Sequence, residues 1–159
     1  MSGLKLAKES AMATRTARTT WEGPLQTGVG SVELVSSAQG AFDVSFPKRV
    51  AESAGGSTSP EELIAAAHSA CYSMALSGAL TTFGATVNKL LVSADVTLGP
   101  DPRDGQFMLT GIRLTVLADA GGIDDDDFAS VALEAKDNCP VSKALTGVEI
   151  QLDASLVDA

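Results

Sequence analysis

The hydrophobic patterns along the chain predict a segregated α+β domain, with antiparallel sheets packed around a long central helix and a second helix. Three observations carry this. An apolar spacing of three then four residues runs from Ser59 to Gly84, alternating segments lie before and after it, and a second helical stripe ends at Cys139. At 159 residues the chain is near the common size of one domain. A flexible tail is expected over 1–13, where MSGLKLAKESAMA has neither alternation nor a stable stripe, and a single domain over 14–159.

The elements follow in order. TRTARTTWEG predicts a strand turning at Gly23 and Pro24, with Trp21, the one tryptophan, as a packing anchor. SVELVSS and AFDVSF predict two more strands of a small antiparallel meander. Gly28 and Gly30 form no nucleotide loop, since neither a third glycine in phase nor a helix follows. Pro47 ends the third strand, and KRVAESAGGSTS reads as a loop carrying the basic pair Lys48 and Arg49.

The central helix begins with Ser59 as cap, Pro60 in the first turn and Glu62 completing a capping box. Gly84 stops it, giving a length of about 36 Å. Leu63, Ala67, Ala70, Met74 and Ser77 form one face and Ile64, His68, Cys71, Ala75 and Gly78 the next, and both faces are expected to be buried. LLVSADVTL and FMLTGIRLTVLA, separated by the turn GPDPRDG, make a hairpin with Ile112, Leu114 and Val116 inward. GGIDDDD opens the second helix, where aspartates suit the helix dipole better than a metal. Phe128, Val131, Ala132, Ala135 and Cys139 form its stripe. Pro140 ends it and starts a short helical turn, before VEIQLDASL closes the chain as a strand.

Composition excludes several functions. Twenty acidic residues against 11 basic give a net charge of −9, which repels nucleic-acid backbones. No apolar run is read as long enough to span a bilayer, and no signal-peptide core is visible, so the expectation is a cytoplasmic protein without a membrane partner. Two cysteines far apart make neither a disulfide framework nor a clustered zinc motif.

The cysteines decide the function. A thiol attacks only as thiolate, so a reactive cysteine needs a guanidinium, an imidazolium or a helix N-terminus nearby. His68 lies one turn before Cys71, Pro140 follows Cys139, and Arg49 lies in the preceding loop. On residues alone, an inert buried pair, a redox pair and a weak zinc site using His68 all stay open.

SPEELIAAAHSACYSMALS, followed at a distance by NCPVSKAL, resembles the OsmC/Ohr family of organic hydroperoxide reductases, and its A-A-H-x-A-C form is closer to the OsmC branch. With the W-x-G start and the strand order, the resemblance covers nearly everything from Thr14 onward. It implies Cys71 as the peroxide-reducing nucleophile, Cys139 as the resolving cysteine, and Arg49 paired with Glu61 to hold the thiolate. Glu61 lies ten residues before Cys71, about 15 Å along one helix. Arg49 and Glu61 are therefore expected to serve Cys71 of a second subunit in an intertwined homodimer. The resemblance further implies an organic hydroperoxide substrate, a dithiol reductant such as a dihydrolipoyl protein, and no flavin, haem or metal cofactor. Two competing readings keep the same fold: a non-catalytic stress-associated binding module, and a thiol redox sensor.

Overall fold

A computed structural model of the chain describes residues 12–157, and the fold divides after Ser59 into two compact units. Of the expected tail, only Met12 and Ala13 fall among the described residues; both are exposed and outside any element.

The first unit is an antiparallel meander of β1 (Arg18–Glu22), β2 (Val29–Glu33) and β3 (Ala41–Val44). Trp21 faces Gly30 in register, and a Cβ placed on Gly30 would meet the indole at 2.8 Å. One on Gly28 would meet it at 2.9 Å. The two glycines are thus spaced to accept an indole. The Trp21 Nε1–H donates to the Gly23 carbonyl at 2.8 Å, closing the turn. The stretch read as a loop after Pro47 includes instead the end of a short helix, α1 (Phe46–Arg49). Ser45 caps it, its hydroxyl accepting from the Lys48 N–H at 3.4 Å, and Pro47 sits in the first turn, where no N–H is needed. The following chain returns to β3 through the Thr58 N–H, which donates to the Asp43 carbonyl at 2.9 Å.

The second unit holds the long helix α2 (Pro60–Phe83), the hairpin β4 (Thr86–Pro100) and β5 (Phe107–Gly121), helices α3 (Asp125–Asn138) and α4 (Pro140–Ala144), and β6 (Ile150–Leu156). The sheet order is β4-β5-β6. Contrary to the expectation of purely antiparallel sheets, β6 runs parallel to β5, because α3 and α4 form a helical crossover between the two strands. Asp124 caps α3 by accepting from the Asp127 N–H at 2.9 Å, and Asp125, Asp126 and Asp127 fill its first turn. The acidic run is therefore a helix start.

The core of this unit joins Tyr72, Leu76 and Leu80 of α2 to Leu114, Val116 and Ala118 of β5 and to Phe128, Ala132 and Ala135 of α3. Full burial of each leucine contributes roughly 1.5–3 kcal/mol. Two sequence expectations about α2 need correction. Its buried stripe is His68, Tyr72, Leu76 and Leu80, while Ala67, Ala70, Met74 and Gly78 from the expected buried faces are exposed. An Ala-, Ser- and Gly-rich helix offers too little contrast between faces for periodicity to choose one. By length and composition α2 is also apolar enough to cross a bilayer, against the reading that no stretch is. One face of it packs onto α3 and β4 in the core.

Candidate active site

Cys71 and Cys139 come together inside the second unit. α2 carries Cys71 on the flank between its buried stripe and its exposed face, which leaves the thiol half-buried. Cys139 ends the core stripe of α3 and is fully buried. Pro140 disfavours helical backbone at the residue before it, so Cys139 turns extended, with φ −62° and ψ 122°. It thereby ends α3 and starts α4 at once. This break places the Cys139 sulfur against the Cys71 side chain, and both thiols are free.

The two sulfurs sit in unlike surroundings. Burial pushes the Cys71 thiol up, the Val141 N–H opposes this, and the neighbouring Cys139 adds to the rise. Burial acts the same way on Cys139 but is outweighed by the Ser142 N–H, the Cys71 thiol, the Ser142 hydroxyl and the Val141 N–H, leaving this thiol below its ordinary value. Cys139 makes no formal side-chain cap on α4; these amides favour its thiolate by proximity. At both sulfurs burial opposes the thiolate and the amides at the start of α4 favour it.

Two residues that sequence reasoning did not single out complete the surroundings. Ser142, three positions after Cys139, meets the His68 Nε2 through its hydroxyl at 2.8 Å. Tyr72, next to Cys71, donates its phenol to the Ala132 carbonyl at 2.8 Å. Burial first, and then charge on Cys139, push that phenol up. The available signals were local: a serine one turn past a Cys-Pro break, and the only tyrosine of the chain beside a candidate nucleophile. His68 is wholly buried, and burial pushes its imidazole below the ordinary value, which favours the neutral ring.

The other predicted residues are placed by their own units. Arg49 closes α1 in the first unit, and Glu61 lies buried in the first turn of α2 in the second. Helical rise separates Glu61 from Cys71 by about 15 Å along α2.

Comparison with known proteins gives a consistent picture. Residues 53–153 match the family model described as OsmC-like protein. Peroxiredoxin OsmC of Escherichia coli is 40% identical over 136 residues, covering 86% of this chain and 92% of that protein. Organic hydroperoxide resistance protein-like 2 of Staphylococcus epidermidis is 31% identical over 114 residues, covering 71% of this chain and 78% of its own length. Among solved structures, the organic hydroperoxide resistance protein OhrB of Bacillus subtilis superposes with a TM-score of 0.70 at 27% identity, over 88% of this chain and 98% of that one.

Proposed function

The chain belongs to the OsmC-like family, and from that premise we propose that it is a cysteine-based peroxidase reducing organic hydroperoxides to alcohols. The observation that carries this reading is the pairing of a half-open thiol, Cys71, with a buried one, Cys139. An open sulfur can meet a peroxide, and a sheltered neighbour can trap the product before further oxidation. The names of the relatives, peroxiredoxin and organic hydroperoxide resistance protein, point to the same chemistry.

The Cys71 thiolate attacks the distal peroxide oxygen. An S–O bond forms as the O–O bond breaks, and the alkoxide leaves as alcohol with a proton from solvent. Cys71 is then a sulfenic acid, which Cys139 converts to a disulfide with loss of water. An external dithiol, of which a dihydrolipoyl group is one chemical form, restores both thiols. No cofactor enters this cycle. Apolar neighbours of Cys71, including Ala75 and the Ala-rich turns of α2, suit a substrate with a hydrocarbon tail.

This reading assigns Arg49 the charge that Cys71 needs. Its own surroundings push Cys71 away from ionisation, so the attacking thiolate calls for a cation. Arg49, oriented by Glu61, supplies it from a second subunit and stabilises charge on the separating oxygens. The exposed face of α2 supports a homodimer: Ala67, Ala70 and Met74 lie opposite the buried stripe, with Cys71 on the border. The proposed setting is the cytoplasm, where a dithiol pool keeps the pair reduced.

The test is consumption of cumene hydroperoxide against hydrogen peroxide with dihydrolipoamide as reductant, for wild type, Cys71→Ser and Cys139→Ser. Loss of activity in Cys71→Ser, a trapped sulfenate in Cys139→Ser and preference for the organic peroxide support the proposal. A wild type that consumes neither peroxide overturns it.

A further inference from the structure

We propose that His68 and Ser142 are positioning residues for Cys139: His68 aims the Ser142 hydroxyl at the Cys139 sulfur, readying it to close the disulfide and to leave when a reductant opens it. The consequence for turnover rests on the peroxidase reading. The polar chain itself does not.

The chain runs through side chains that are nearly or wholly out of solvent: His68 and Cys139 at 0% exposure and Ser142 at 7%. The His68 Nε2 lies 2.8 Å from the Ser142 Oγ, and Ser142 sits in the first turn of α4, whose N-cap is Cys139, where its hydroxyl favours the Cys139 thiolate. His68 Nδ1 is buried with no hydrogen-bond partner among the described residues. That orphan atom sets the direction of the chain. A serine hydroxyl has one hydrogen to give and lone pairs to receive. If it gave its hydrogen to Nε2, the ring proton would sit on Nδ1 as a buried donor without acceptor, which is rarer than an unused lone pair. With the proton on Nε2, His68 donates to Ser142, and the serine hydrogen is free for the sulfur.

The chemistry follows in two balanced steps. In closure, the Cys139 thiolate forms the S–S bond with Cys71 as the Cys71 S–O bond breaks. The departing hydroxide takes a proton from solvent and leaves as water, so one sulfenic acid and one thiol give one disulfide and one water. In opening, an incoming dithiol reaches the half-open Cys71 sulfur, since Cys139 is sealed. A mixed disulfide forms on Cys71, and the electron pair of the old S–S bond leaves on Cys139 as a thiolate, to which the Ser142 hydroxyl donates a hydrogen bond. The second thiol of the reductant then frees Cys71 and becomes its disulfide.

The titratable groups facing Cys139 are Cys71 and Tyr72, with His68 acting through Ser142. The decisive experiment follows the thiolate absorbance of Cys139 against pH in the full chain carrying Cys71→Ser, alone and combined with Ser142→Ala, Ser142→Thr, His68→Leu or His68→Gln. Ser142→Ala and His68→Leu are expected to cut the thiolate fraction at neutral pH about tenfold, the loss of one charge-assisted hydrogen bond. Ser142→Thr and His68→Gln, which keep a hydroxyl and a side-chain N–H donor, are expected to restore most of it. In the presence of Cys71, the slowing variants should also close the disulfide several-fold more slowly after one equivalent of peroxide. Should His68→Leu not fold, the one-atom change Ser142→Ala still decides. An unmoved Cys139 titration in Ser142→Ala overturns the inference. If wild type forms no sulfenate, the peroxidase proposal falls, and the titration still judges the polar chain.

Discussion

The Tyr72 phenol and the Ala132 carbonyl, 60 residues apart in sequence, join α2 to α3 at 2.8 Å within the core. The bond pins the helix carrying Cys71 to the helix that Cys139 ends, one residue away from Cys71 on one side. Tyr72→Phe removes only the hydroxyl, and Ala132 then loses a buried donor. The expected loss is about 1–2 kcal/mol of unfolding free energy, read as a lower denaturant midpoint with unchanged slope. An unchanged midpoint would mean that the bond contributes nothing net.

Gly30 tests the first unit. A Cβ there would lie 2.8 Å from the indole of Trp21, 2.9 Å from a Val44 methyl and 3.0 Å from the Thr20 carbonyl. The indole cannot yield without losing its bond to Gly23. Gly30→Ala is expected to cost about 1–3 kcal/mol. Because Trp21 is the single tryptophan, its fluorescence reports the change locally: a shifted emission in the native state is the expected outcome.

The long strands were legible because half-burial writes itself as alternation. Leu90, Val92, Ala94, Val96 and Leu98 point inward in β4 as their spacing predicts, and Ile112, Leu114 and Val116 do so in β5. The second helix, its stripe from Phe128 to Cys139 and the break at Pro140 were legible for the same reason. What was not legible depends on distant contacts. The buried stripe of α2 is chosen by α3 and the sheet, and the parallel setting of β6 by the crossover before it. The Ser142–His68 pair closes over 74 residues, beyond any local pattern. The pairing of Cys71 with Cys139 was expected from family resemblance, whereas the α4 amides that favour both thiolates were not.

Asp101 gives a pH dependence of known sign. Arg103 grips its carboxylate through Nη2 at 2.6 Å and Nε at 3.0 Å, and the Arg103 backbone N–H adds a third bond at 2.9 Å. These contacts, the side-chain ones first, hold the Asp101 carboxyl below its ordinary value. A carboxylate depressed in the folded state stabilises above its unfolded pKa, and the contribution fades as pH falls through the folded pKa. Asp101→Asn is therefore expected to lower Tm at neutral pH and to converge with wild type in acid. The gap should shrink in high salt, since Arg103 is largely exposed. A gap that widens in acid would contradict this assignment.

Met74 probes the proposed dimer. Its side chain is 70% exposed on the α2 face opposite Tyr72, Leu76 and Leu80. If that face packs on a second copy, Met74→Lys buries an unpaired charge and weakens association by about 3 kcal/mol or more, over a hundredfold. Light scattering across a dilution series should then show monomers at concentrations where wild type is dimeric, with peroxidase activity falling in step. A fully active monomer would remove the shared-site arrangement.

Arg49 and Cys71 can be assigned to the same or to different subunits by complementation. Arg49→Ala and Cys71→Ser should each be nearly inactive as homodimers. In a mixed dimer, the Cys71 of the Arg49→Ala chain faces an intact Arg49 only if the arginine comes from the other subunit. Random exchange makes half of the dimers mixed, each with one complete site, so about a quarter of wild-type activity should return. On the proposed reading the arginine offsets the burial that opposes ionisation of Cys71. Arg49→Lys should recover little, since an ammonium cannot present the planar fork that a carboxylate such as Glu61 would hold in place. No activity on mixing, with exchange verified by mass spectrometry, would place Arg49 beside the Cys71 of its own chain or outside the site altogether.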